Sequence, residues 1–551
     1  MSATREYDVV VVGAGLAGLT SAAYLCRSGY HTLVCEASDH IGGLVNSFVD
    51  RGFTFDAGIR AFENSGVVFP MLRQLGIEME CVSNQVTIGI GDDLVQLATR
   101  DSLADYAALL RRAFPDNGEE ITKIAGEIAK VMRYMDVLYG IDNPLFMDMT
   151  KDTGYLMKVL LPWLVKYQIN IPKVIKLNEP VNDYLLRFTS NQALIDLITQ
   201  HFFQDTPTFF ALSYFGLYLD YRYPLGGTGV FADKMADVVR EENGTILTKT
   251  PVTRIDPVSR QVHTADGQSF TYRKLVWAAD SKAMYRALNE AEITDPQQLA
   301  AVRARGELVR QGHGGDSVLT VYYAVNLGAD YFQARCGAHA FYTAIRDGLS
   351  GVGFREWRDL IKGDVDGDEG KTSSRQALTP LVKAYLAATT YEISCPALRD
   401  PQLAPPGQTG VIVSTLMDYE FVRHIQAAGW YEDFKQLCQE QTTAVLDASI
   451  FPGLSEHVLF AQCSTPLTLE RFTGNAHGAI TGWAFTDGEM PAENQFRRIT
   501  RSVDTPLPDI YQAGQWSFSP SGLPISILTG KVAADRIGKE LGKKAGAKRK
   551  A

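Results

Sequence analysis

The sequence is short of the features that mark several large classes of protein. Its seven cysteines are scattered with no C-x-x-C pair, which disfavours a disulfide framework or a zinc site and fits reduced intracellular thiols. Acids outnumber Lys plus Arg, 63 to 53, and a net charge of −10 disfavours a general nucleic-acid binder. The polar start, MSATREYD, lacks the pattern of a secretory signal. We therefore expect a cytoplasmic, non-secreted globular protein.

Long hydrophobic runs are also scarce. The stretch Val9–Cys26 carries no charge and has about the length of a short membrane span. It consists, however, of four valines, three glycines at fixed spacing and a run of small helical residues. That order predicts a buried strand, a turn and a helix, so we expect no transmembrane span.

The turn in this stretch has the spacing of a phosphate-binding loop. Gly13, Gly15 and Gly18 follow a predicted strand, Tyr7–Val12, and precede a predicted helix. In such a loop the glycines permit a tight turn, close approach of a pyrophosphate and close packing of the helix on the strand. Glu36 ends the next predicted strand, where an acid accepts hydrogen bonds from an adenosine ribose and disfavours NADP. These residues predict a dinucleotide site.

Two further segments carry a family resemblance. A glycine doublet, Gly42-Gly43, follows the second strand, and Gly52–Gly58 reads GFTFDAG. With the first loop they resemble the FAD-dependent amine oxidase and phytoene desaturase superfamily. Leu44 stands where many relatives carry Arg, and Ser47-Phe48 looks more like the carotenoid isomerase and retinol saturase branch.

The resemblance covers nearly the whole chain and implies FAD as the cofactor. Other segments that carry it are Tyr223–Gly227, Thr250–Ile255, Leu275–Asp280, Thr465–Gly482 and Pro508–Trp516. The FAD-binding residues that it implies are Gly13, Ala14, Gly15, Leu16, Ala17, Gly18, Glu36, Ala37, Gly42, Gly43, Leu44, Ala57, Gly58, Ile59, Val252, Ala279, Gly514, Gln515, Gly522, Leu523 and Pro524.

The resemblance also implies an α/β fold in which a Rossmann-type FAD-binding domain is interleaved with an α+β substrate domain. We expect the FAD-binding domain to consist of residues 1–66, 219–288 and 503–551. The substrate domain would consist of residues 67–218, mostly helical in pattern, and 289–502, which contain strand-like runs. Ligand sites favour such domain interfaces.

The motifs indicate catalytic residues less clearly than they indicate FAD-binding residues. By motif position, Arg60, Glu63 and Arg471 are candidates for proton transfer, although surface or structural roles also fit them. Phe209, Phe210, Tyr214 and Trp516 are candidates for lining an apolar substrate site, because aromatic rings stack on conjugated chains. For each of the first three a place in a helical core is the favoured alternative, and Trp516 fits a core aromatic equally well. The nine histidines are isolated, so we expect no metal site and no Ser/His/Asp triad.

No second phosphate-binding fingerprint is present, since Ile88–Gly91 is not followed by a helix with a third glycine. The electron partner would then be a diffusible acceptor or donor: a quinone, oxygen or a nicotinamide nucleotide. The segment Gly363–Gly370, GDVDGDEG, lacks the final Glu of a calcium loop and is interpreted as part of a surface insertion. The basic tail Lys539–Ala551 fits either peripheral membrane contact or a frayed terminus.

Three functions follow, and they are not equally favoured. The first is an FAD oxidoreductase that desaturates, saturates or isomerises carbon–carbon bonds of an isoprenoid-, carotenoid- or retinoid-like substrate. The second is an amine oxidase-like flavoenzyme. The third is a flavoprotein whose FAD is structural and which serves in binding or assembly. The segment SGLPISILTGK, at Ser521–Lys531, favours the first over the second.

Overall fold

The computed structural model describes residues 5–147, 153–360 and 368–542. The charge-free run Val9–Cys26 folds as a buried strand followed by a helix, as its pattern predicted. No helix in the described ranges has both the length and the apolar character needed to cross a membrane. Residues 361–367 of the acidic insertion and 543–551 of the basic tail lie outside the described residues.

The helices and strands have the following bounds. The strands are β1 (Arg5–Val12), β2 (Thr32–Cys35), β3 (Ser47–Asp50), β4 (Phe53–Asp56), β5 (Phe62–Glu63), β6 (Cys81–Ser83), β7 (Val86–Ile90), β8 (Asp93–Leu97), β9 (Tyr221–Pro224), β10 (Thr245–Leu247), β11 (Val252–Asp256), β12 (Gln261–Thr264), β13 (Ser269–Trp277), β14 (Ser317–Val325), β15 (His339–Thr343), β16 (Thr390–Ser394), β17 (Thr409–Met417), β18 (Val458–Ser464) and β19 (Ile510–Gln512). The helices are α1 (Leu16–Arg27), α2 (Val68–Leu75), α3 (Ser102–Ala113), α4 (Gly118–Tyr139), α5 (Thr153–Tyr155), α6 (Leu161–Ile175), α7 (Val181–Leu185), α8 (Gln192–Thr199), α9 (Thr208–Tyr218), α10 (Gly229–Glu241), α11 (Ser281–Ala287), α12 (Pro296–Gln311), α13 (Ala329–Gln333), α14 (Trp357–Leu360), α15 (Asp368–Ala388), α16 (Tyr419–Ala427), α17 (Tyr431–Asp447), α18 (Leu454–His457), α19 (Pro466–Thr473) and α20 (Leu523–Leu541).

The first sheet has the strand order β10-β2-β1-β13-β12-β11, and β19 also pairs with β13. Its β10, β2, β1, β13 and β19 are mutually parallel. Parallel strands are buried on both faces, and helices cover this sheet accordingly. Helix α1 packs against α20, where Ser21 Oγ donates a 2.9 Å hydrogen bond to the Gly530 carbonyl. The carboxyl ends of these strands open on one edge, where ligands bind in such sheets.

The second sheet has the strand order β18-β14-β17-β16-β15-β7-β8. Its pairs are antiparallel except β15 with β7. Alternate residues of a strand point to opposite faces, so Leu319, Val321 and Tyr323 of β14 pack with α16 and α17 in one core. Val318, on the other face of the same strand, lines the cavity described below.

A helical region built from α3, α4 and α6–α9 packs on the β7–β8 end of this sheet. The predicted helices near residues 103–114 and 119–139 are confirmed as α3 and α4. Segment 67–218 is less purely helical than its pattern suggested, because β7 and β8 form a hairpin whose two-residue turn, Gly91-Asp92, begins at a glycine with a φ of 57°. The segment Ile88–Gly91 is therefore part of a β-hairpin and not of a phosphate-binding loop. The α/β fold class is confirmed, whereas the domain boundaries stay a prediction.

Candidate functional site

A cavity of about 540 Å³ extends from the carboxyl edge of the first sheet to one face of the second. We call the part lined by the glycine loops of the first sheet its cofactor end. The part lined by the second sheet and by α9 and β9 is called its substrate end. The volume lies within the range of small-molecule sites.

The first glycine loop fits a bound pyrophosphate. A Cβ atom at Gly15 would meet no other atom within 4 Å, so this residue borders open space in the cavity. At Gly18 a Cβ atom would lie 1.9 Å from the Gly13 carbonyl oxygen, so this glycine serves helix packing instead. No side chain caps the N-terminus of α1, and its free N–H groups are therefore available to an anion.

Two other elements complete the cofactor end. The Gly42 N–H donates a 2.8 Å bond to the Ala14 carbonyl, which holds the glycine doublet against the first loop. Glu36 accepts from the N–H groups of Ala14 at 2.7 Å and Ser38 at 2.8 Å, one on each carboxylate oxygen. Each oxygen keeps a second lone pair for ribose hydroxyls, and Glu36 lines the cavity.

At the C-terminal part of the site, the buried Ser521 Oγ lines the cavity and has no hydrogen-bond partner among the described residues. It lies just before Gly522, the uncapped N-terminus of α20. An orphaned buried hydroxyl is costly unless something satisfies it. Together with the open space at Gly15, it indicates that the site is shaped for a polar ligand of dinucleotide size.

The structure brings most of the predicted FAD-binding residues to this cavity. Three of them do not line it. Ala14 and Gly18 pack inside the first glycine loop and its helix, and Pro524 lies in the first turn of α20. Those that line it are Gly13, Gly15, Leu16, Ala17, Glu36, Ala37, Gly42, Gly43, Leu44, Ala57, Gly58, Ile59, Val252, Ala279, Gly514, Gln515, Gly522 and Leu523.

A buried carboxylate ties two of the motifs together. Asp56, in the GFTFDAG segment, accepts hydrogen bonds from Ser47 Oγ at 2.9 Å and Tyr223 Oη at 2.9 Å. It also accepts from the N–H and hydroxyl of Thr228, at 2.8 and 2.9 Å. Asp56 thus fixes the turn after β9 against the β3–β4 hairpin, a structural reason for an Asp in this motif.

The three candidates for proton transfer lie in different places. Glu63 lines the cavity beside the start of α20: a Cβ atom at Gly522 would be 3.7 Å from Glu63 Oε1. Burial raises the pKa of Glu63 to about 7, and the neighbouring Asp220 carboxylate acts in the same direction. Arg471 is exposed on α19 and is not among the lining residues of the described chain.

Arg60 also lines the cavity and is buried. Its Nη1 donates to the carbonyls of Asp56 and Gly58, both at 2.6 Å, and its Nη2 donates to Ser414 Oγ at 2.9 Å. Arg60 Nε has no partner among the described residues. The side chain therefore links the GFTFDAG segment to the second sheet.

The substrate end contains a polar group that the sequence did not indicate. His339 on β15, Glu392 on β16 and Ser414 on β17 lie on the cavity face of the second sheet, with Val318 on β14. His339 Nε2 lies 2.9 Å from Glu392 Oε1. The only signal in the sequence is a Glu within an otherwise uncharged run, TTYEISC.

Aromatic rings form the rest of the substrate end. Tyr214 of α9 and Tyr221 of β9 line it, and Tyr221 stacks on His339 with 5.8 Å between ring centroids. Trp516 also lines the cavity, and its Nε1 donates to Asn475 Oδ1 at 3.1 Å. Phe209, which packs edge-on against Phe496, and Phe210, which packs against Tyr214, are not among the lining residues of the described chain.

Comparison with known proteins agrees with a cavity whose cofactor end fits a dinucleotide. Residues 16–317 match the sequence profile of a family described as flavin containing amine oxidoreductase. An oxidoreductase from Methanosarcina mazei has a similar fold, with a TM-score of 0.60 at 15% identity over 96% of this chain and 99% of that one.

Two curated relatives are similar over nearly the whole length. One, from Danio rerio, is named inactive all-trans-retinol 13,14-reductase; it is 23% identical, over 93% of this chain and 82% of its own. The other is the chloroplastic prolycopene isomerase 2 of an Oncidium hybrid cultivar, 22% identical over 98% of this chain and 85% of its own.

Proposed function

The chain belongs to the flavin containing amine oxidoreductase family and is an FAD-dependent oxidoreductase, and we propose that it acts on carbon–carbon bonds of a long apolar substrate. The substrate is isoprenoid-like, of carotenoid or retinoid type, and the reaction is desaturation, saturation or cis/trans isomerisation. Its relatives include proteins named inactive all-trans-retinol 13,14-reductase and prolycopene isomerase, and these names support this substrate class.

The observation that carries the proposal is the continuity of the cavity. One space holds the cradle of glycines at its cofactor end and Tyr214, Tyr221 and Val318 at its substrate end. Aromatic and branched side chains position an apolar chain by shape and stacking, because such a chain offers few polar groups.

The residues listed above as lining the cofactor end would hold FAD. The glycine loop and the free N–H groups of α1 would bind its pyrophosphate, Glu36 its ribose, and the start of α20 with Ser521 its polar ring edge. When bound, FAD supplies hydride exchange with a substrate carbon. The protein's part is to orient the chain and to keep water away.

Glu63 is the proposed proton-transfer residue. Saturation of a double bond adds a hydride and a proton, and desaturation removes both, so a proton must be held at a defined atom. Glu63 Oε1 lies beside the start of α20, and a carboxyl with a pKa of about 7 exchanges protons readily at neutral pH. Arg60, which lines the same cavity, is proposed as a positioning residue, whereas Arg471 is exposed and is not among the lining residues of the described chain.

The electron partner is proposed to be a diffusible quinone, oxygen or a nicotinamide nucleotide. The Ile88–Gly91 segment, which might have begun a second nucleotide fold, is a β-hairpin. Within the described residues the chain shows the one phosphate-binding fingerprint, at Gly13–Gly18.

The test is anaerobic mixing of the purified holoenzyme with extracted lipids and pure isoprenoids. Bleaching of the flavin absorbance by a partly saturated chain supports desaturation. Reoxidation of the pre-reduced enzyme by a polyene supports saturation, and geometric isomerisation without net oxidation supports an isomerase. Glu63→Gln is the matched variant, which should bind the same ligands but react slowly.

Two results would contradict the proposal. Bleaching by primary amines and not by isoprenoids would make the chain an amine oxidase. Flavin that responds to dithionite but to neither class of substrate would indicate a structural cofactor in a binding or assembly protein.

A further inference from the structure

Four side chains form a fixed hydrogen-bond relay behind the substrate end of the cavity. Arg399, buried on the far side, donates from Nη1 to Asn84 Oδ1 at 2.6 Å. Asn84 Nδ2 lies 2.8 Å from His339 Nδ1, and His339 Nε2 lies 2.9 Å from Glu392 Oε1. The relay therefore joins two loop residues, Asn84 and Arg399, to two strand residues, and Asn84 is 255 residues from His339 and 315 from Arg399.

Arg399, at one end of the relay, determines how Asn84 is oriented and which ring nitrogen of His339 carries the proton. A guanidinium has only donors, so the atom that faces Arg399 must be the Asn84 carbonyl oxygen. The Asn84 amide nitrogen then donates to His339 Nδ1, which must be unprotonated. His339 is left with its proton on Nε2, which points at Glu392. Burial lowers the pKa of His339, and the ring is therefore neutral.

Glu392 consequently remains an anion at the cavity wall. Burial opposes its ionisation, but the hydrogen bond from His339 and the positive charge of Arg60 outweigh burial and lower the pKa of Glu392. One carboxylate oxygen is occupied by His339. The other has no hydrogen-bond partner in the part of the chain that the structure describes, and 32% of the side chain is accessible, against none of His339.

A wall built for a pure hydrocarbon would not contain such a group. Covering a carboxylate oxygen with apolar chain and giving it no donor is costly. We propose that Glu392 anchors a hydroxyl group of the substrate, which makes the preferred ligand an isoprenoid-like alcohol. This rests on the proposed function, because it places the alcohol on the same apolar chain.

A hydroxyl fits this position better than an ammonium group. Arg60 lines the cavity and Arg399 lies behind it, both buried, and their positive charges repel a cation. The low pKa also makes Glu392 a weak base, which separates its role from that of Glu63. Of the carboxyl groups that line the cavity, Glu63 and Glu392 have pKa shifts in opposite directions, a pattern that assigns these two different tasks.

The experiment measures preference between two ligands that differ by one hydroxyl group. Oxidised holoenzyme is titrated with all-trans-retinol and with its deoxy analogue, in which a methyl group replaces the hydroxymethyl group. The wild type should bind the alcohol at least tenfold more tightly. Glu392→Gln keeps the side-chain volume and the oxygen that accepts from His339, but it turns an amide N–H₂ toward the cavity. The ratio of the affinities for the alcohol and the deoxy analogue should therefore fall to threefold or less.

Asn84→Ala tests the relay, since Asn84 is a positioning residue that acts through His339. This variant should lower the same ratio of alcohol to deoxy-analogue affinity, whereas a merely structural change would weaken the binding of both ligands equally. Glu307→Gln, which makes the same chemical change on an exposed residue of α12, should leave the ratio unchanged. Retained flavin absorbance shows that each variant is folded.

The outcomes separate the anchor from the proposed function. Tight binding of both ligands with an equal affinity, or an unchanged ratio in Glu392→Gln, would overturn the anchor alone. Preference for the corresponding amine would overturn the hydroxyl assignment. If the wild type bound neither ligand, the isoprenoid proposal would fall and the anchor with it.

A second, independent observation concerns the surface of α6 and the turn of helix before it. Six of the fifteen strongly exposed large apolar side chains of the described chain fall here. Four lysines accompany them, and residues 153–178 contain no Asp or Glu, on a chain of net charge −10. We call this the apolar–lysine surface: Met157, Leu161, Leu164, Val165, Ile169 and Ile175 with Lys158, Lys166, Lys173 and Lys176.

We infer that the apolar–lysine surface docks on an anionic lipid surface. Leu161, Leu164 and Val165 recur at helical spacing on one face, and a helix with such a face and flanking lysines lies in the plane of a membrane interface. A second copy of the chain fits worse. A symmetric dimer through this face would set the same lysines against each other with no acid to pair them.

The test is sedimentation of the full-length holoprotein with phosphatidylcholine vesicles, with and without phosphatidylglycerol. Val165→Asp combined with Ile169→Asp should weaken binding to anionic vesicles at least tenfold. Val258→Asp combined with Leu459→Asp alters two similarly exposed apolar residues elsewhere and should have no effect. Unchanged binding of the first pair, or loss of binding only on removal of residues 543–551, would overturn the inference.

Discussion

At its cofactor end the phosphate-binding part of the cavity is lined largely by backbone from two glycine loops, Gly13–Gly18 and Gly42-Gly43, that are close together in the chain. At its substrate end the cavity is lined by side chains from strands that are far apart. Gly15 and Gly42 are 27 residues apart and form a bridge, whereas the relay from Asn84 to Arg399 spans 315 residues. A loop that binds phosphate with N–H groups depends on glycine spacing, but a wall that selects a substrate depends on sheet register.

The comparison implies that the two ends should fail in different ways. Damage to the cofactor end should remove the cofactor from a folded chain. Damage to the substrate end should change the protonation, the stability or the ligand preference of a chain that still carries it. The following experiments test that contrast, beginning with the largest effect.

Gly15→Val should abolish FAD binding. A Cβ atom there would have no protein atom within 4 Å, and so the new side chain would extend into the ligand's space in an otherwise intact fold. Purified protein should be colourless, with the circular dichroism of the wild-type apoprotein. Gly328→Ala, also free of contacts within 4 Å, is the control; a yellow Gly15→Val protein would contradict the assignment.

Glu63→Gln should lower kcat by about 10²–10⁴-fold, the usual contribution of a positioned proton-transfer group. The wild-type pH profile of kcat should contain an ionisation near 7 that the variant lacks, because burial raises the pKa of Glu63 to about 7. In the saturation direction activity should fall above this pH, and in the desaturation direction below it. A profile that keeps the ionisation in Glu63→Gln would assign it elsewhere.

The same raised pKa affects stability. The native state holds the proton of Glu63 more tightly than the unfolded state does, so stability from this group is complete below the unfolded pKa and is lost as pH rises toward 7. The melting temperature of Glu63→Gln relative to wild type should therefore increase between pH 5 and pH 8. A constant difference would show that Glu63 titrates normally.

Arg399→Met should lower the free energy of unfolding by about 3 kcal/mol, since it leaves buried acceptors of Asn84, Arg60 and Ser394 unpaired. FAD should remain bound. The matched change Arg375→Met breaks an exposed ion pair with Asp433 and should cost about 0–1 kcal/mol. Denaturant unfolding of the two holoproteins measures the difference; equal losses would show that the relay adds nothing.

The smallest effect is expected at the aromatic wall. Tyr214→Leu should raise KM for an isoprenoid substrate up to about tenfold, because its ring lines the cavity and a stacking contact is worth about 1 kcal/mol. Phe209→Leu, in the helical core against Phe496, should reduce thermal stability without changing KM. The reverse pattern would move the substrate path to the other side of α9.

The secondary structure around the cofactor was predictable because each element carries a local signal. Valine runs, glycine spacing and small helical residues fix β1, the loop and α1 within a short stretch of sequence. In the Pro508–Trp516 segment, which carries part of the family resemblance, the strand is short, at Ile510–Gln512. Gly514 then turns with a φ of 94°, a conformation that favours glycine, and ends the strand.

The substrate end could not be predicted in the same way. Whether Glu392 faces the cavity depends on its register with Phe341 and Ser414, and a shift of one residue would turn it to the other face. Aromatic content could not separate Phe209 from Tyr214 either, since both lie on α9 and only the packing of that helix decides which ring meets the cavity. Three-dimensional pairing supplies this information.

The contact of α20 with α1 bears on how the protein is made. Gly530 approaches α1 so closely that a Cβ there would lie 2.5 Å from the Ala17 carbonyl oxygen, and Gly514 and Gly522 line the cavity from the same late part of the chain. The phosphate loop leaves the ribosome some five hundred residues before these partners. On the proposed function, cofactor capture is therefore a late event of synthesis, and until then the face of α1 that packs on α20 has no partner.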